Sequence, residues 1–114
     1  MYTYKAFVER VLDGDTFEAT VDLGFRLSWR GIFRLKGIDT PETWRPKSEA
    51  ERTHGEKATE FVKKLIENKI ITIRSYGAGI YARYNADVIL DDNSDLATLL
   101  RENGFEKLES YKEV

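Results

Sequence analysis

The dipeptide Asp13-Gly14 separates two runs with the composition of β-strands. Residues 4–12 are rich in β-branched and aromatic side chains. Residues 16–23 alternate, with Phe17, Ala19 and Val21 on one face. Asp-Gly between two such runs is a strong local hairpin signal, because a tight turn needs backbone conformations that Gly adopts freely. A looser stretch follows at residues 24–30, and residues 31–38 then read as a third strand. Its alternation puts Ile32, Arg34, Lys36 and Ile38 on one face and Phe33 and Leu35 on the other. Pro41, which lacks an N–H, is expected to end that strand.

From Ser48 the period changes. Ser48 can cap a helix, with Glu51 as the capping-box residue three positions on. Ala50, Ala58, Phe61, Val62, Leu65 and Ile66 form an apolar face at helical spacing. Gly55 weakens the middle of this segment, so the regular helix is expected to start nearer residue 54, and Asn68 closes it. Residues 69–74 and 84–90 read as strands, joined by a Gly-rich loop. Ser94 is expected to cap a short second helix that ends at Gly104. Residues 105–114 read as a charged stretch that is either a loose tail or a partial element. The order β-β-β-α-β-β-α predicts an α+β domain over residues 1–114, with a five-stranded OB-type β-barrel and two helices.

At 114 residues the chain can bury one core. It has no Cys, which excludes disulfides and thiolate metal sites. No apolar run reaches the roughly 20 residues that span a bilayer. The first residues lack the pattern of a signal peptide, so the expectation is an intracellular, cytoplasmic protein. The net charge of -2 argues against binding nucleic acid through many Lys and Arg contacts. A nucleic-acid enzyme of this balance must gather its cations at one place, with a carboxylate-bound divalent metal supplying further positive charge.

Asp15, Asp39 and Glu42 fall at the ends of predicted strands. Hard divalent cations take carboxylate and carbonyl oxygens, and the Asp39-Thr40-Pro41-Glu42 turn offers both. Arg34 and Arg83 are the guanidiniums placed to clamp a phosphodiester. Arg34 lies five residues before Asp39, on the opposite pleat face, so their meeting requires curvature or a bulge. Read without further context, Asp13-Gly14-Asp15-Thr16 is also a common turn, the acidic turn is also a capping loop, and each Arg is also a surface ion-pair partner.

Residues 11–16 (Val-Leu-Asp-Gly-Asp-Thr) and 33–43 (Phe-Arg-Leu-Lys-Gly-Ile-Asp-Thr-Pro-Glu-Thr) closely resemble two signature segments of the staphylococcal nuclease (thermonuclease) family. Tyr81-Ala82-Arg83 resembles its third. The helix from Gly55 and the segment Leu99 to Gly104 follow in the same order, and the resemblance runs roughly from residue 5 to 106. It implies an OB-fold nuclease that uses one Ca²⁺ to hydrolyse DNA, RNA or both to 3′-phosphate and 5′-hydroxyl ends. On this resemblance Asp15, Asp39 and the Thr40 carbonyl are metal ligands. Glu42 orients or deprotonates the attacking water, and Arg34 and Arg83 bind phosphate. The partner implied is single- or double-stranded nucleic acid.

The chain also departs from the family. Ala82 replaces a Gly, Ile80-Tyr81 replaces a Lys-Tyr pair, and the family's C-terminal helix is expected to be missing. Those departures point to weaker substrate binding or completion of the core in a homodimer. Tyr81, Trp44 and Tyr111 are the candidate base-contacting residues, whereas Trp29 is expected in the core, with base stacking as its lesser alternative. His54, the only His, reads as a helix-start residue, with general-base chemistry as its lesser alternative. Arg45, Lys47 and Arg52 form a basic cluster that either guides a strand or is simply solvated. Asp87 is expected to be a structural partner near the site. The rival to an enzyme is a non-catalytic nucleic-acid or protein-binding domain that keeps the barrel.

Overall fold

In the computed structural model, residues 2–78 and 84–112 are described. Five strands close into a barrel: β1 (Tyr2–Asp13), β2 (Thr16–Gly24), β3 (Leu27–Leu35), β4 (Ile70–Ala78) and β5 (Tyr84–Ile89). Their order around the barrel is β1-β2-β3-β5-β4. All pairings are antiparallel except that between β3 and β5, which is parallel. The helices are α1 (Glu49–Ile66), α2 (Leu96–Glu102) and the single turn α3 (Glu109–Lys112). The α+β barrel is as expected from the sequence; α3 is one turn more than the two helices anticipated.

Alternation explains which residues fill the barrel. Phe17, Ala19 and Val21 of β2 and Phe33 and Leu35 of β3 point inward. In β1 the inward set is Ala6, Val8 and Val11. The change of parity after Val8 comes from a β-bulge between Val8 and Arg10. Ile73 and Val88 complete the wall, and Val62 and Ile66 of α1 with Leu96 and Leu100 of α2 join the same core.

The turn between β2 and β3 differs from the expected loose stretch. The strands continue to Gly24 and from Leu27, and Phe25 and Arg26 make the turn at φ 54° and 63°. Two positive φ values suit the right-handed twist of a tight hairpin, but nothing in Phe-Arg announces them. At the other end, β3 stops at Leu35 rather than at Pro41. Gly37, at φ 83°, turns the chain there.

Helix α1 begins at Glu49, earlier than expected. Ser48, extended at φ -159°, accepts from the Glu51 N–H. The buried stripe is Glu51, Gly55, Ala58, Val62 and Ile66, and Ala50 is exposed. Asn68, at φ 60°, follows the helix end. Helix α2 is capped by Asp95, whose side chain accepts from Thr98 N, rather than by Ser94. Ser94 donates to Asp92 in the preceding turn.

The segment after α2 is not loose. Phe105 packs against Phe61 at 5.1 Å between ring centroids, and the Lys107 N–H donates to the Asp39 carbonyl at 2.8 Å. His54 of α1 lies 2.7 Å from the Gly104 carbonyl and has Tyr111 edge-on at 5.8 Å. Apolar and polar contacts therefore both bind this charged stretch to α1 and to the loop after β3.

Candidate active site

The β1–β2 hairpin and the loop after β3 interlock. Asp15 follows the hairpin Gly, and its carbonyl accepts from Leu35 N at 2.8 Å, which ties it to the end of β3. A Cβ on Gly14 would fall 2.8 Å from Thr40 Oγ1, so glycine is required for the two loops to touch. Across the same junction, Thr43 Oγ1 donates to Asp13 at 2.7 Å.

Asp15 is buried. Its Oδ1 accepts from Thr16 Oγ1 at 2.8 Å and its Oδ2 from Thr40 N at 3.1 Å. Arg34 Nη2 stands 3.6 Å from Asp15 Oδ2 and is hydrogen-bonded to Asp39 Oδ1. One guanidinium thus bridges two carboxylates from different loops. The opposite-face problem posed by the spacing of Arg34 and Asp39 is solved by the reversal at Gly37. That turn is held in place by Arg101 of α2, which donates to the Gly37 carbonyl. A polar cleft of about 270 Å³ opens here, lined by Arg34, Gly37, Ile38, Asp39 and Glu106.

Glu42 lies further along the same loop, with its side chain about half exposed. Partial burial pushes its pKa above the ordinary carboxylate value. Lys107 opposes that shift, and Asp13, Asp15 and Glu51 add to it. A carboxylate made more basic in this way is suited to taking a proton.

The donor set fits a hard cation. Asp15 and Asp39 converge closely enough to share one positively charged group, and Thr40, which follows Asp39 and donates its N–H to Asp15, is buried with its Oγ1 lacking a hydrogen-bond partner among the described residues. No group of three or more His, Cys, Asp or Glu converges for a metal among the described residues, so backbone carbonyl or water oxygens are needed to complete a shell.

The remaining sequence candidates are distributed as follows. Trp44 is exposed, with the Arg45 guanidinium 5.6 Å from its ring. Arg52 pairs with Glu49 at 3.7 Å. Tyr111 packs on His54, and His54 itself holds the Gly104 carbonyl, a structural task. Asp87 accepts from Tyr76 at 2.5 Å. Trp29 is not a core residue. It is partly exposed, lies over Gly31 and meets Tyr84 edge-on at 5.0 Å. Tyr81 and Arg83 lie outside the described residues.

Two residues of this site escaped sequence reasoning. Glu51 is fully buried and accepts from Glu42 N at 3.1 Å and Lys47 N at 2.8 Å. Lys107 reaches Glu51 at 3.5 Å and Glu42 at 3.8 Å. The available signal was a carboxylate four residues before Gly55, on the buried stripe of α1.

The family model described as staphylococcal nuclease homologue matches residues 32–113, which include Arg34, Asp39, Thr40 and Glu42. No curated protein matches the chain.

Proposed function

The chain belongs to the staphylococcal nuclease homologue family, and from that premise we propose that it is a calcium-dependent phosphodiesterase acting on DNA, RNA or both. The observation that carries this reading is the convergence of Asp15 and Asp39 on the Arg34 guanidinium, with Glu42 on the same loop.

Asp15, Asp39 and the Thr40 carbonyl would hold the calcium ion. When bound, it supplies Lewis acidity and offsets the charge of the phosphodiester. Arg34 binds a non-bridging phosphate oxygen and stabilises the negative charge that accumulates on the phosphoryl group as water adds. Glu42 orients that water and accepts its proton. The P–O5′ bond then breaks, and the departing oxygen takes up a proton from solvent. The products are a 3′-phosphate and a 5′-hydroxyl. Arg83 is proposed to share the phosphate with Arg34.

The test is cleavage of single- and double-stranded DNA and of RNA with Ca²⁺, repeated with EDTA. Chelator-sensitive cleavage to 3′-phosphate ends is expected. Binding without cleavage by the folded protein would overturn the enzyme reading in favour of a binding domain. Glu42→Ala is expected to lower kcat far more than it weakens binding.

A further inference from the structure

The loop that carries Glu42 has little secondary structure of its own: between Asp39 and Ser48 there is neither strand nor helix. Its backbone donors must be satisfied from outside. Glu51 does this. Its two oxygens accept from Glu42 N and Lys47 N, at opposite ends of the loop. Burying a carboxylate completely is unfavourable unless donors surround it. An apolar residue at position 51 would suit the helix face but leave both N–H groups without that acceptor.

Lys107 closes the arrangement from the other side. Its backbone N–H binds the Asp39 carbonyl at 2.8 Å, and its ammonium lies between Glu51 and Glu42, at 3.5 and 3.8 Å. A single residue of the C-terminal segment therefore touches both ends of the Asp39–Glu42 turn. Its side chain is 16% exposed, so the ammonium is largely withdrawn from water and the pairing is less screened than on an open surface. Gly55 allows the approach, since α1 meets the Pro41 and Glu42 backbone directly.

We propose that Glu51 and Lys107 are positioning residues which together hold the Glu42 carboxylate in its working place, and that the segment after α2 is thereby part of the active site. The catalytic half of this proposal rests on the hydrolase reading above. The positional half does not.

Two measurements separate those halves. The first follows cleavage of a DNA oligonucleotide with Ca²⁺ by Lys107→Met, alone and combined with Glu42→Ala. A misplacement of about an ångström can lower a rate by about 100-fold. We expect Lys107→Met to lower kcat by about 10- to 100-fold on that scale, with KM changed by about two-fold or less. In the Glu42→Ala background the same substitution should lower kcat by about two-fold or less, because the group being positioned is gone. Lys107→Arg should restore part of the loss. Equal factors in both backgrounds would mean a purely structural role and would overturn the proposal.

The second measurement is amide hydrogen exchange in Glu51→Ala. Glu42 and Lys47 should exchange faster than in the unsubstituted protein, while Val8 and Ile73 in the barrel keep their protection. Unchanged exchange at Glu42 and Lys47 would overturn the positional claim. If Glu51→Ala does not fold, Glu51→Gln carries the same comparison, with the same two outcomes. Absence of cleavage by the unsubstituted protein would sink the hydrolase reading and leave the exchange result to decide the clamp.

Discussion

A Cβ on Gly55 would stand 2.7 Å from the Pro41 carbonyl oxygen and 3.0 Å from that of Glu42. Helix α1 and the acidic turn are therefore in backbone contact, and the helix is the floor on which the turn rests. The glycine that weakens the sequence signal for the helix is the one that lets the site form.

Gly55→Ala sets two effects against each other. Alanine gains roughly 1 kcal/mol in helix propensity. Overpacking a close backbone contact costs about 1–3 kcal/mol, and here the neighbouring atoms are backbone rather than a flexible side chain. The expected result is a net loss of stability of up to about 2 kcal/mol on these magnitudes, together with a lower kcat. Chemical denaturation and turnover measured on the same preparation check it. A more stable and fully active variant would show that the turn yields freely.

Glu51 should shape the stability of the protein in acid. Burial alone would raise its pKa, but the Lys47 and Glu42 N–H donors and Lys107 outweigh burial and hold it below the ordinary 4.5. A carboxyl with a lowered folded-state pKa stabilises the fold above its unfolded value and gives up that stabilisation as the pH falls through the folded value. The unsubstituted protein should therefore lose stability below about pH 4.5 more steeply than Glu51→Gln. Urea midpoints across pH 3–7 test this. Parallel curves would mean that Glu51 gains nothing from ionisation.

Arg34→Lys keeps the charge and loses the fork. A lysine ammonium is a single point on a flexible stem and does not reproduce a guanidinium set against two carboxylates. Removing one preorganised donor to a developing charge typically lowers kcat by about 100- to 1000-fold. A loss within that range is expected, with the fold intact by circular dichroism. Near-normal turnover would remove Arg34 from the role proposed for it.

The hairpin tip offers a change remote from the chemistry. Phe25 is 97% exposed, and both Phe25 and Arg26 sit at positive φ. Left-handed backbone costs an ordinary residue about 1–2 kcal/mol, and Asn-Gly relieves most of it. Phe25→Asn with Arg26→Gly should raise stability by about 1 kcal/mol or more on that scale and leave cleavage unchanged. Thermal melts and a parallel cleavage assay decide it.

Local signals carried much of the architecture. Period-two alternation in residues 16–23 marks the inward face of β2, and Ser48 marks the start of α1, because each depends only on neighbours in the chain. Asp13-Gly14 marked the hairpin, although Asp13 still belongs to β1, the two turn residues are Gly14-Asp15, and Gly14 is needed for its close approach to Thr40 rather than for a positive φ. The acidic turn was legible as a candidate, although the roles of its residues came from resemblance to a family rather than from spacing.

Other features were decided only in three dimensions. Phe25-Arg26 makes a tight turn because the paired strands on either side force it to. Arg34 meets Asp39 because Gly37 reverses the chain after Leu35, which a five-residue spacing on a straight strand forbids. Glu51 looked like a capping-box partner, and the Ser48 hydroxyl does accept its N–H. Its side chain, however, is turned onto the loop that carries Glu42. Lys107 looked like one more charge in a polar tail until Phe105 and His54 fixed that tail against α1. The alternation of side chains, the cap and the hairpin dipeptide are properties of neighbouring residues, so the sequence alone determined the order and type of the five strands and two main helices, whereas the ends of β2, β3 and β4 and the first turns of α1 were set by pairing and packing. The site is a meeting of the β1–β2 hairpin, the loop after β3, α1 and the segment after α2, and only the closing of the barrel brings those four pieces together.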